Sequence, residues 1–208
     1  MPARARARTR VAGQLVAGPP PLLNKADLAI ADLDAFKVTQ PVHGYPPTVR
    51  TFYSPEDYVP QVLQTVLSSV QSSVVVAMYG FDDDVLATML AAALQNPRIY
   101  VQITLDKTQA AGKAEAALLK KYFNAKTGNS IAIGHSEKGA IMHRKMMIVD
   151  GIWRISGSTN WSTSGETQQD NELTVMRDAV VCAEARPILD VEHDAALKQM
   201  AAARAASG

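Results

Sequence analysis

Residues 73–79 read Ser-Val-Val-Val-Ala-Met-Tyr, a β-branched and apolar run with no polar face. A half-exposed strand would alternate polar and apolar positions, and a surface helix would repeat them every three to four residues. A run apolar on both sides belongs to a strand covered on both faces, as in a sheet sandwiched between helices. The flanking segments agree. Residues 49–53, 98–105, 142–149, 152–156 and 172–176 read as further strands, and 128–134 leads through a short one. Residues 58–70, 85–94 and 115–123 read as helices, with Ser54-Pro55-Glu56-Asp57 and Asp82-Asp83-Asp84 supplying helix starts. The end, 179–206, is helical with a break or restart expected at Pro187. Strands separated by helices early and joined by turns later predict an α/β fold, a mixed β-sheet flanked by helices on both faces.

A chain of 208 residues buries one substantial core with some chain to spare. Residues 1–47 read as a basic, Pro-rich arm or linker, partly disordered, with a short amphipathic helix at 24–36, and residues 48–208 as the domain proper. The basic start with a weak apolar patch, interrupted at Gly13 and Gln14, makes a poor secretory signal. No apolar stretch approaches the roughly 20 residues of a membrane span. A soluble protein is expected, its compartment open, with the cytoplasm favoured over the periplasm or secretion. Cys182 is the only cysteine, which precludes an intrachain disulfide and reads as a small core residue.

The net charge of +1 conceals an uneven distribution. Residues 98–154 hold ten basic and four acidic residues, whereas 11–97 hold three and eight. The middle of the chain is therefore where an anion would be welcome, although a solvated basic face has the same composition.

That basic stretch contains the chemistry. In a strand, residues two apart share a face at a spacing of roughly 6.6 Å, which would put His143 and Lys145 together. A turn at Asp150-Gly151 returns the chain, and Gly157 lets it bend into Ser158 and Asn160. An imidazole, an ammonium, a hydroxyl and a carboxamide can thus converge on one tetrahedral phosphoryl group: Lys145 as charge, Ser158 and Asn160 as hydrogen-bonding groups, His143 as attacking nitrogen. No carboxylate pair or Cys/His cluster with metal spacing accompanies them, so no metal and no cofactor are expected. Lys107 and Arg144 are candidate substrate contacts, and Trp161 either packs in the core or stacks on a base. His43, His135 and His193 have no partners at useful spacing and read as surface residues, and Asp82–Asp84 as helix caps.

The spacing His143-x-Lys145, Asp150, Gly157-Ser158-x-Asn160 resembles the signature of the phospholipase D superfamily, with every position filled. The match is tight over residues 142–176 and looser, in element order, from about 49 to 200. The resemblance implies a metal-independent phosphodiesterase with a phosphohistidine intermediate. It also implies that Asp150 is structural and that Glu172, downstream, orients the histidine. The family normally joins two motifs, and this chain has one. The single-motif members, among them small bacterial nucleases, form homodimers, so a homodimer with a shared active site is implied here. An imidazole's reference pKa of roughly 6.5 allows one His143 to attack while the other donates a proton. The chemistry that the resemblance implies fixes a phosphodiester and leaves its substituents open. The basic middle and Arg-rich arm favour DNA or RNA. Phospholipid is the alternative, and a catalytically silent binding protein the third reading.

Overall fold

The computed structural model describes residues 18–23, 27–39, 44–109 and 130–207. The helix expected at 115–123, Lys113, Lys120, Lys121, Lys126, His43 and most of the N-terminal arm lie outside them.

Among the described residues seven strands form one mixed sheet: β1 (Val49–Ser54), β2 (Ser73–Met78), β3 (Tyr100–Asp106), β4 (Ile131–Gly134), β5 (Lys145–Val149), β6 (Trp153–Gly157) and β7 (Asn171–Arg177). Their order is β1-β7-β6-β5-β2-β3-β4. The β2–β3 and β3–β4 pairs are parallel; the others run antiparallel, with β2 meeting β5 at Met78↔Lys145. The doubly apolar run is β2, near the centre of the sheet. Val74, Val76 and Met78 enter one core with α1 (Val59–Ser68) and α2 (Asp84–Gln95). Val75 and Ala77 pack on the other face with Cys182, Ala185 and Leu189 of the C-terminal helix. Helices on both faces explain why β2 has no polar side.

Three expectations need correction. The domain does not start at residue 48: Leu28, Ile30, Leu33 and Phe36, around a 3-10 helix at Ile30–Phe36, are buried in the first core. Asp57 ties this segment down, accepting from the Val38 and Thr39 N–H groups at 2.8 and 2.9 Å. The C-terminal helix does not break at Pro187 but runs unbroken as Ala179–Ser207. The carbonyl that Pro187 leaves without its helical donor is that of Ala183, and both residues are exposed, so water can satisfy it. His193 is not a surface residue; it is buried, with Nδ1 2.9 Å from the Thr104 hydroxyl. A short helix, α3 (Thr163–Thr167), was not expected, and the C-terminal helix becomes α4. Burial pushes the Cys182 thiol up to about 11, which keeps it un-ionised at neutral pH. No helix among the described residues is long and apolar enough to cross a membrane.

Asp150 lies in the turn between β5 and β6, at the end of the strands away from His143. It adopts φ 53°, and its carboxylate accepts from the N–H groups of Gln71, Ser72 and Ser73 at 2.8–3.0 Å. Asp150→Ala gives up three hydrogen bonds to a carboxylate, leaves the exposed Gln71 and Ser72 N–H groups to water, and puts a side chain without local hydrogen bonding into the left-handed region. It should lower unfolding free energy by about 2 kcal/mol, measured in urea, with turnover by the folded protein retained.

Candidate active site

The other residues of the motif lie at the opposite end of the strands, where β2, β3 and β6 end and β5 and β7 begin. The strand expected over 142–149 starts only at Lys145. The Met142 N–H donates to Asp106 Oδ2 at 2.6 Å, and this bond replaces a ladder partner. His143 is therefore placed by anchors on either side rather than by strand pleating. On one side stands the Met142–Asp106 bond. On the other, the Arg144 carbonyl accepts from Tyr79 N–H at 2.8 Å, and the Arg144 Nε meets both oxygens of Glu192 at 2.6 and 2.8 Å. Between them the His143 side chain is exposed.

Lys145 is the opposite case. It is 8 % exposed, and its Nζ donates to the His143 carbonyl at 3.2 Å. Burial holds its pKa below the usual lysine range. His143, Arg144, Lys145 and Gly157 line one groove of about 890 Å³, together with His135, Lys138 and the α4 residues Ile188, Val191 and Glu192. Gly157 has no alternative: a Cβ there would lie 2.1 Å from the Glu172 carbonyl oxygen.

Ser158 and Glu172 sit apart from this groove. Both line an adjoining depression with Tyr53, Asp170 and Asn171. The Ser158 hydroxyl donates to Asn171 Oδ1 at 2.9 Å and accepts from Glu172 N–H at 3.0 Å, so much of its capacity goes to joining β6 and β7. Asn160 accepts from Gly80 N–H through Oδ1 at 3.2 Å. The contact expected between Glu172 and His143 is not made within the chain. Glu172 accepts from Thr174 Oγ1 at 2.9 Å instead, and β6 lies between β5 and β7, so two strand spacings of about 4.8 Å separate the backbones. Trp161 cannot stack on a base. It is 1 % exposed and packs edge-on against Phe81 with ring centroids 5.6 Å apart. Lys107 is exposed just past the end of β3, and Arg144 reaches the groove as an ion pair rather than a free cation.

Sequence reading missed Tyr79, Asp106 and Glu192. Each acts on the motif from more than 30 residues away in the chain, so no local spacing betrays it. Among the described residues no three His, Cys, Asp or Glu side chains cluster as a metal site. Asp83 caps α2 through Leu86 N–H at 2.7 Å.

A mixed sheet between helices, with an exposed histidine and a buried lysine two residues apart where the interior strand β5 begins, defines a domain of the phospholipase D type. Residues 63–190 match the family described as "Cardiolipin synthase, PLD-like domain", and the chain belongs to that phospholipase D-like family. It is 30 % identical over 97 residues to a mitochondrial cardiolipin hydrolase of Chlamydomonas reinhardtii, a stretch covering 47 % of this chain and 40 % of that relative's length. Two solved structures share the fold. Nuc of Salmonella typhimurium, a phospholipase D family member, aligns with a TM-score of 0.59 and 23 % identity over 71 % of this chain and 94 % of Nuc. NucT of Helicobacter pylori aligns with a TM-score of 0.57 and 19 % identity over 71 % and 96 %.

Proposed function

We propose that the chain is a metal-independent phosphodiester hydrolase that works through a phosphohistidine, and that it is an endonuclease acting on DNA or RNA as a homodimer. The observation that carries the chemistry is the pairing of an exposed imidazole with a buried ammonium at the mouth of one groove. A neutral His143 nitrogen attacks phosphorus, forming a P–N bond as the P–O bond to the leaving group breaks. A protonated His143 of the partner subunit gives its proton to the leaving oxygen, then takes one from the water that hydrolyses the P–N bond. Lys145 offsets the charge that grows on the non-bridging oxygens. A two-fold interface would supply the second imidazole, because it sets identical residues against each other. Nucleic acid is favoured by the ten basic residues of segment 98–154, of which Lys107 and Lys138 are exposed near the site.

A second reading, a phospholipid phosphodiesterase, has its own support. Ile141, Ile188 and Val191 are 46–57 % exposed along the groove beside His143, and Arg144 is neutralised there by Glu192. One panel decides: plasmid DNA, single-stranded DNA, RNA, and phosphatidylcholine and cardiolipin vesicles, all with excess EDTA, alongside light scattering of the eluted protein. Nucleic-acid cleavage by a species of twice the chain mass is expected. Lipid turnover with intact nucleic acid selects the second reading, and a strictly monomeric active enzyme contradicts the shared site.

A further inference from the structure

The reactive pair is held by a residue outside the motif. Tyr79 follows β2 directly, and its N–H bond to the Arg144 carbonyl fixes its backbone against the residue between His143 and Lys145. Its ring centroid lies 4.7 Å from that of His143 at an interplanar angle of 61°. The Lys145 ammonium stands 4.7 Å from the same centroid. The phenol oxygen in turn accepts from Gln109 Nε2 at 3.3 Å. Among the described residues no carboxylate comes within ion-pair distance of Lys145, and its hydrogen bond to the His143 carbonyl is the one resolved for the ammonium. A buried ammonium so sparsely partnered would lose much of its hydration without return. An aromatic face is what the site offers instead, since the ring quadrupole attracts a cation within about 6 Å.

We propose that Tyr79 is the positioning residue of this site: its ring face holds the Lys145 ammonium toward the phosphoryl oxygens, and its contact with the imidazole sets the plane from which His143 attacks. The inference rests on the phosphodiesterase reading above. The phenol hydroxyl is secondary, because the ring makes both contacts. Tyr79→Phe therefore keeps kcat and KM within about threefold of wild type. Tyr79→Leu keeps bulk without the quadrupole, and kcat falls by about tenfold, the range of a partly desolvated cation–π contact.

The decisive series places phenylalanine and its mono-, di- and trifluorinated analogues at position 79, which drains the ring face at nearly constant shape. The substrate is bis(p-nitrophenyl) phosphate, a diester that is neither nucleic acid nor lipid. Log kcat should fall stepwise with fluorine number while the melting temperature stays level, and the affinity for inorganic phosphate, measured by calorimetry, should weaken in the same order. Fluorinated variants that match Tyr79→Phe in both readouts overturn the proposal, as does a fully active Tyr79→Leu. A wild-type protein that turns over no diester sinks the hydrolase reading alone, because the phosphate titration still reports whether the ring face holds Lys145.

Discussion

His143→Ala is expected to lose phosphodiester turnover by roughly ten-thousand-fold, the scale seen when an essential group of a covalent mechanism is removed. The same variant should melt within about 2 °C of wild type. The imidazole is exposed, buries little apolar surface, and contributes to the fold chiefly through its ring contact with Tyr79. The two halves of this result belong together. Lost activity in an intact fold marks a reacting group. Retained activity means that the nucleophile lies elsewhere, and lost activity with a collapsed melting transition means that His143 is structural. Lys145 cannot be tested so cleanly, because it is buried and its replacement alters the packing under the site.

The second large effect concerns stability. Glu166, in α3, is 1 % exposed, and one of its carboxyl oxygens has no hydrogen-bond partner among the described residues. Burial, and then the charge and hydrogen bond of Asp83 beside it, raise its pKa to about 9. In the unfolded chain the same carboxyl ionises near the ordinary glutamate value of 4.5. Between these values the folded state keeps a proton that the unfolded state has released. The associated stability is complete below the lower value and declines as pH rises toward the upper one, by at most about 1.4 kcal/mol per pH unit. Glu166→Gln removes the titration, and its amide can still donate to Asp83. It should raise unfolding free energy by about 3 kcal/mol at pH 8 and by almost nothing at pH 4.5, read as the difference between urea transitions of variant and wild type. An equal gain at both pH values, or a loss at pH 8, refutes this account of the pair. The effect bears on the site because α3 follows Asn160 and Trp161, and Asp83 follows Gly80 and Phe81. The Glu166–Asp83 contact therefore pins together the two loops that Asn160 bridges through Gly80.

The elements that sequence reveals are those in which periodicity and spacing are local. The all-apolar β2 announces a sheet covered on both faces, and the interval from His143 to Asn160 announces the phospholipase D-like family. What sequence conceals is set by contacts across the sheet. The histidine was expected on a strand, yet the Met142–Asp106 bond takes it off the ladder, and that bond joins positions 36 residues apart. Tyr79 reads as the end of an apolar strand, since nothing beside it in the chain foretells the imidazole and ammonium on its ring. For Trp161 the sequence leaves core packing and base stacking both open, and the structure selects the core, where the indole is 1 % exposed beside its bridge to Phe81. The resemblance assigns Glu172 to His143, whereas within one chain its carboxylate accepts from Thr174 Oγ1.

The central claim is that a His143 nitrogen becomes covalently bonded to phosphorus without a metal. It is tested by mixing the protein with a cleavable DNA substrate in excess EDTA, quenching in alkali during turnover, where a phosphoramidate survives, and mapping the adduct by mass spectrometry. The account predicts a phosphorylated peptide containing His143, labile to acid and absent from His143→Ala. Turnover that proceeds in EDTA with no adduct, an adduct on another residue, or activity that EDTA abolishes would contradict it.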